Sequence, residues 1–409
     1  MGASPIRRLA RQLSRLLFAL LLCGAVAFAG VHLYAWHHYR AAQRALDHYH
    51  FAQARNHLTV CLQAWPNSRR VHLLAARAAR LDGAAEEAKE HLYACQQDRG
   101  QAEEVLLEWA LLRAQYGELA KVEGYLHDKL RFSPQQMPLI QSALIEGYLR
   151  TYRIGPALAG VNDWLERQPE DTQALYLQGC IWLQVQKPQT ALDSFRRVFE
   201  LDPQRDDALW RLTQCLLQLR LYEEANPHLE HLCRTYPHNT EMTVGLALAR
   251  SKQGRASEAR QLLEAALAEH PDNEEALREL GRLDLEAGKA AEAEKWLRKA
   301  VQLNPRDTQL YQLLSAALER QGKQDEAQRF QDRLKQTDRD FARLSTICLH
   351  ELGQRPNDPG LHSELGILLL RLGHKQAGRN WLLLALQEDP NCVAARTALE
   401  GANLTEPRR

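Results

Sequence analysis

Leu175-Tyr176-Leu177-Gln178-Gly179-Cys180-Ile181-Trp182, then Ala191-Leu192-Asp193-Ser194-Phe195, then Leu201-Asp202-Pro203: this stretch decides how the chain reads. The same arrangement returns in Leu277-Arg278-Glu279-Leu280-Gly281, Ala293-Glu294-Lys295-Trp296-Leu297 and Leu303-Asn304-Pro305. Between the two copies the breakers keep step. Pro169, Pro203, Pro237, Pro271 and Pro305 each stand 34 residues after the last, and Pro66, Gly100 and Pro134 form an earlier ladder with the same interval. A single extra residue between Pro134 and Pro169 joins the two ladders. Helix breakers at one interval mean a repeated helical unit with a turn at each breaker.

Three further ladders run in register with the breakers. Twelve residues earlier stand Ala54, Ala88, Val122, Ala157, Ala191, Ala225, Ala259 and Ala293, and Ala327 continues the series. Eight residues earlier the place is always apolar: Leu58, Leu92, Leu126, Val161, Phe195, Leu229, Leu263, Leu297. Twenty-four earlier it is small in most units (Ala42, Ala76, Ala110, Gly179, Thr213, Ala247, Gly281, Ser315), with Ile145 as the exception. Small residues let two helices approach, and large apolar ones fill the space left between them. Turn signals such as Gln253-Gly254-Arg255 and Ala287-Gly288-Lys289 fall midway, so each unit is helix, short turn, helix, breaker.

Composition agrees. Leu, Ala, Arg, Gln and Glu dominate, unbranched side chains that keep rotamer freedom in a helix. No run alternates apolar and polar for long enough to suggest a sheet, and the class is all-α. With 45% hydrophobic and 25% charged residues the chain can bury a large core and is not disordered.

A 34-residue helix–turn–helix with these small and large positions resembles the tetratricopeptide repeat family, over residues 35 to 392. The resemblance implies a right-handed superhelical solenoid of about ten repeats. The units read as 35–68, 69–102, 103–137, 138–171, 172–205, 206–239, 240–273, 274–307 and 308–341, with a last one at 359–392. Arg113 and Lys129 stand in the third unit where apolar residues are expected, which blurs its helix boundaries. Domains follow: a basic segment 1–15, a membrane span 16–39, the array 40–341, an additional helix and loop 342–358, the last repeat and capping helix 359–402, and a frayed tail 403–409. The additional helix is expected over Phe341 to Leu352, and Val393 to Glu400 are expected to cap the core.

Arg7, Arg8, Arg11 and Arg15 precede an uncharged stretch from Leu16 to Tyr39. That stretch exceeds the roughly 20 residues needed to cross a bilayer as a helix. Tyr34, Trp36 and Tyr39 lie at its far end, where amphipathic rings favour the interface. The arginine bias predicts a signal anchor with a cytoplasmic N-terminus and the array extracytoplasmic, and with no flexible linker between them the array's first helix is expected to continue the membrane helix. The alternative is a cleaved signal peptide, with small-residue sites at Ala25-Val26-Ala27 and Ala27-Phe28-Ala29.

A formal net charge of +1 gives no global field to attract nucleic acid. Phosphate loops, nucleophile elbows and zinc-protease motifs are absent, so neither a catalytic residue nor a cofactor, metal or small-molecule substrate is expected. His228 and His231 share a helix face, but two ligands do not make a zinc site. Cys61 and Cys95 occupy equivalent points of adjacent units. Neighbouring helices stand ~8–10 Å apart and a disulfide needs Cα atoms within ~7 Å, which predicts buried thiols. Free thiols sit awkwardly with an oxidising exterior.

The resemblance implies protein or peptide binding along each unit's first helix. Family members that receive chaperone tails carry a Lys/Asn clamp there. Its corresponding points here hold Tyr176, Cys180, Trp210, Gln214, Arg278 and Arg282, so that clamp is absent. Tyr176, Trp210, Gln214, Arg278 and Arg282 are the expected partner contacts, with the arginine pair facing an acidic partner. The alternative is that Arg282 pairs with Glu279 or Glu286 and Trp210 belongs to the core. The reading is a non-enzymatic membrane-tethered scaffold in a bacterial envelope. Its rivals are an organelle import receptor with a cytosolic solenoid, and a subunit that positions a separate enzyme.

Overall fold

The computed structural model describes residues 5–95, 102–304 and 307–404; for 5–21, 23, 102, 134 and 402–404 it describes the backbone alone. The chain falls into two compact units, Met1–Phe132 and Ser133–Arg409. Every regular element among the described residues is helical.

In the first unit the helices pair as α1 (Pro5–Asp47) with α2 (Phe51–Ala64), α3 (Arg69–Leu81) with α4 (Ala85–Cys95), and α5 (Ala102–Gln115) with α6 (Leu119–Phe132). Arg113 points to solvent from α5, and Lys129 on α6 pairs with Glu103, so neither charge enters the core. In the second unit, after a short 3-10 turn, come α7 (Met137–Arg150) and α8 (Ile154–Arg167), α9 (Thr172–Gln184) and α10 (Pro188–Leu201), α11 (Asp206–Gln218) and α12 (Tyr222–Thr235). Then follow α13 (Thr240–Lys252) and α14 (Ala256–Glu269), α15 (Glu274–Glu286) and α16 (Ala290–Leu303), α17 (Thr308–Arg320) and α18 (Gln324–Thr346). A π turn (Ile347–Glu351) and the short α19 (Leu352–Gln354) lead to the last pair, α20 (Pro359–Arg371) and α21 (Lys375–Glu388), and to α22 (Val393–Leu404).

Local chemistry repeats with the ladder. Two residues past Pro169, Pro237, Pro271 and Pro305 stand Asp171, Asn239, Asn273 and Asp307, which cap the next first helix, their side chains accepting from amides of its first turn. Between the helices of each pair one residue takes a positive φ: Gly83, Gly117, Gly254, Gly288, Gly322 and Gly373, but also Tyr49, Tyr152, Gln186 and Arg220. The Lys289 amide then donates back to the Asp284 carbonyl, closing the helix end in a Schellman-type turn.

The alanine and leucine ladders are buried throughout. Where the facing residue is large, the first helix offers glycine: a Cβ on Gly179 would stand 2.6 Å from the Phe195 ring, and one on Gly281 2.5 Å from Leu297. Ala225 is fully buried among Phe195, Leu212, Leu216 and Leu229. Ala225→Leu is therefore expected to cost about 1–3 kcal/mol by overpacking. Hydrogen exchange should rise over α10 to α13 and stay unchanged elsewhere.

Three expectations change or fall outside the described residues. Helix α1 runs unbroken from Pro5 to Asp47, through the stretch 16–39 and into the first repeat. Among the described residues no helix is long and apolar enough to cross a membrane, and the side chains of 16–21 and 23 lie outside them. The separate helix expected from Phe341 is instead the continuation of α18, because Thr337–Asp340 contain neither proline nor glycine to stop it. Residues 405–409 of the tail lie outside the described residues.

The second unit is also joined end to end. The Trp381 indole donates to the Thr151 carbonyl at 2.8 Å, Tyr152 and His374 hydrogen-bond, and the Cys348 thiol donates to the Tyr152 carbonyl at 3.8 Å. The turn between α7 and α8 thus packs on the π turn and on the α20–α21 pair. An open solenoid with contacts only between neighbours would have none of these.

Candidate functional site

The first helices α9, α11, α13, α15 and α17 carry two rows at the repeat interval. One is Tyr176, Trp210, Val244, Arg278 and Gln312; the other is Cys180, Gln214, Leu248, Arg282 and Ala316. All five expected contact residues lie on this face, half-buried, and they form two distinct clusters.

The first cluster joins α9 to α11. Arg205 stands where α9, α13, α15 and α17 have a capping Asp or Asn, leaves its helix without a side-chain cap, and is 1% exposed. Its guanidinium donates to Gln173 Oε1 at 2.5 Å and Asp207 Oδ1 at 3.0 Å, and lies 4.7 Å from the centroid of the Tyr176 ring. Tyr176 also meets the Phe195 ring edge-on at 5.7 Å. Burial, with Cys180 adding to it, raises the Tyr176 phenol, and burial pushes the Cys180 thiol up to about 11. Arg211 donates to Gln214 Oε1 at 3.1 Å. Arg205 went unnoticed in the sequence, although an arginine in the capping ladder is itself a visible departure.

Trp210 is a wedge between repeats. It packs on the buried cluster of Leu209, Leu232 and Met242, and a Cβ on Gly245 would touch it. Part of the indole is core and part reaches the surface.

In the second cluster the charge of Arg278 and Arg282 is already matched. Arg278 donates to Asp307 Oδ2 at 2.6 Å and Glu274 Oε1 at 3.3 Å. Arg282 donates to Glu279 Oε2 at 2.6 Å and Glu286 Oε1 at 2.7 Å, and Lys252 shares Glu286 at 2.8 Å. The pairing with Glu279 and Glu286 weighed above is the one the structure has. Burial pushes the Glu274 carboxyl up to about 7 against the pull of Arg278, and Glu275 is raised for the same reason. Five carboxyl side chains (Glu274, Glu275, Glu279, Glu286 and Asp307) thus surround three cations. The expected acidic partner finds no free arginine here, and reversing both arginines would break a half-buried network rather than edit a surface.

His38 with His57 and His72 with His91 form repeat-equivalent pairs, ring nitrogens 2.8 and 3.1 Å apart. Neither gains a third donor: among the described residues no three His, Cys, Asp or Glu converge as a metal site. His228 is half-buried against Phe199, 5.4 Å between centroids, and burial lowers its pKa. All described cysteines are free thiols, with Cys61 and Cys95 buried as core residues.

Residues 183–242, 221–283 and 250–317 match the tetratricopeptide repeat family model, so the chain carries such repeats over at least 183–317. No curated protein matches the chain by sequence. Among solved structures, it resembles a chain of the APC/C hetero-tetramer Cut9-Hcn1 at 16% identity, covering 90% of this chain and 76% of that one, with a TM-score of 0.46. It resembles human IFIT1, solved as a dimer with PPP-AAAA, at 17% identity over 78% of this chain and 90% of that one, TM-score 0.42. A tetratricopeptide repeat protein from Parabacteroides merdae is 15% identical over 70% of this chain and 99% of that one, TM-score 0.37. Likenesses this distant say nothing about what the present chain binds.

Proposed function

We propose that this chain, whose residues 183–317 carry tetratricopeptide repeats, is a non-enzymatic scaffold that holds protein or peptide partners along the first-helix face of its second unit. Helix α1 tethers it to a membrane, and the repeats lie on the extracytoplasmic side of a bacterial envelope. The observation that carries the binding reading is the composition of one helix face. Tyr176, Trp210 and Gln214 offer half-buried aromatic and amide surface, the kind that dominates binding energy. Further along the same face lies the acidic cluster of Glu274, Glu275, Glu279, Glu286 and Asp307, with the exposed Glu241 of α13 between the two. Such a surface favours a partner presenting apolar side chains beside lysine or arginine.

Glu241 and Gln214 are the positions to change, because neither supports the core. Crosslinking in native membranes, followed by identification of bound proteins, compares wild type with Gln214→Ala/Glu241→Lys. Capture is expected to fall at least about tenfold, the effect of losing roughly 1.4 kcal/mol of binding. A folded double variant that keeps every partner at physiological salt would show that binding lies elsewhere.

A second orientation, with the repeats facing a reducing compartment as in an import receptor, is favoured by the free thiols. Protease added outside intact cells separates the two, since it degrades the array only in the first orientation.

A further inference from the structure

We propose that the first unit holds the headgroup of an anionic phospholipid in a cleft at the foot of the α1 tether. The inference rests on the tether proposed above and adds a ligand to it. Residues 24–31 of α1 are apolar or glycine, and every one of them is exposed. Leu33 is 68% and Trp36 52% exposed. A helix that is apolar all round without a protein neighbour calls for hydrocarbon as its solvent.

Protein packing begins abruptly after it. Ala35 is buried, with the Cys61 thiol donating to its carbonyl at 3.3 Å. The Trp65 indole donates to His32 Nδ1 at 2.6 Å. The change of solvent therefore falls between His32 and Trp36, and Tyr34, Trp36 and Trp65 form an aromatic belt there.

At that boundary opens a cleft of about 800 Å³ between α1 and the α2–α3 turn. Its walls include Trp36, Tyr39 and Trp65, with Arg40, Arg70 and Asn67 at the rim, and no Asp or Glu lines it. Arg40 lies four residues past Trp36, about 6 Å along the helix axis, which is the headgroup layer beyond an aromatic belt. Several other guanidiniums of the unit have carboxylates: Arg55 holds Asp82 and Glu87, Arg77 and Arg80 hold Glu108, and Arg113 stands 3.6 Å from Glu118. Arg40 and Arg70 form no ion pair among the described residues and are exposed. Two unmatched guanidiniums suit a phosphodiester, which accepts their parallel N–H groups. The aromatic walls could instead suggest a choline cage, but the Arg40 guanidinium already lies 5.3 Å from the Trp36 ring centroid. That cation place is taken, so the charge required of the ligand is negative.

The test uses the full chain in nanodiscs of phosphatidylcholine and phosphatidylglycerol in equal amounts. After extraction in mild detergent, mass spectrometry quantifies the lipid that stays bound. Phosphatidylglycerol is expected to exceed phosphatidylcholine at least about fivefold, what one basic residue beside an anionic surface confers. Arg40→Gln/Arg70→Gln should insert as well as wild type and retain the two lipids in bulk proportion, while Arg40→Lys/Arg70→Lys keeps part of the preference. Inorganic phosphate titrated into the solubilised chain should give no binding heat. Failure of the wild type to insert sinks the tether and this site with it. Insertion without enrichment, equal enrichment in the Gln variant, a preference for phosphatidylcholine, or tight binding of phosphate alone overturns the headgroup site and leaves the tether standing.

Discussion

Trp381→Ala is expected to loosen the second unit at two places more than 200 residues apart in sequence. Trp381 is 7% exposed, its ring lies 5.0 Å from that of His362, and its indole donates to the Thr151 carbonyl. Truncating a buried tryptophan typically costs ~3–5 kcal/mol through lost contact and the cavity left behind. In an open repeat array that loss would spread only to neighbours, here α20 and α22. The contacts of Trp381, His374 and Cys348 with residues 151–152 predict otherwise. Tyr152 has a φ of 58°, a conformation that costs a non-glycine residue roughly 1–2 kcal/mol. Packing on the C-terminal elements helps hold it there. Amide exchange should rise over α7 and α8 as well as over α20 and α21, with the middle repeats unaffected. A rise confined to residues 359–404 would mean that the two ends stand independently.

How legible each of these features was depends on its period. A 34-residue interval repeated over many units leaves a trace in one sequence, and Ala225 or Leu229 is placed by it without any structure. The capping ladder of Asp171, Asn239, Asn273 and Asp307 was equally open to reading, and so was its interruption by Arg205. Contacts between residues 151–152 and 348–381 occur once, so no periodicity announces them. They depend on α18 running on to Thr346 and then taking a π turn, where a local reading places a fresh helix. For Arg278 and Arg282, spacing identified the shared face and the partners Glu279 and Glu286. It could not supply Asp307, the cap of α17, which reaches Arg278 from the far end of its unit. The candidate face was thus visible in outline, while its net charge emerged only when successive repeats were stacked.

The strongest single electrostatic effect should come from Glu108 in the first unit. Glu108 and Arg80 are each 1% exposed at the side chain, and Arg80 Nε donates to Glu108 Oε2 at 3.0 Å. Arg77 Nε donates to the other carboxylate oxygen at 2.5 Å, and Arg80 Nη1 donates to Gln115 Oε1 at 2.6 Å. Burial by itself would push the Glu108 carboxyl up. Arg80 and Arg77 outweigh it and hold the group below its ordinary range. A depressed carboxylate contributes stability that is present above its unfolded-state pKa, about 4.3, and is lost as pH falls through the folded value. Glu108→Gln keeps the shape and removes the charge, which leaves Arg80 buried opposite a neutral group. Breaking a buried pair in this way costs about 3–5 kcal/mol, a large share of the ~5–15 kcal/mol that holds a typical domain. At pH 7 the variant should therefore show markedly faster exchange or proteolysis across α3 to α6, with the second unit unchanged. The difference should begin to shrink below about pH 4, where the unfolded chain gains a proton at this position, and should vanish as pH falls through the depressed folded value, where the wild-type carboxyl is protonated and resembles the amide. A gap between the two proteins that stays constant from pH 7 to the acid limit would show that Glu108 matters for its shape and not for its charge.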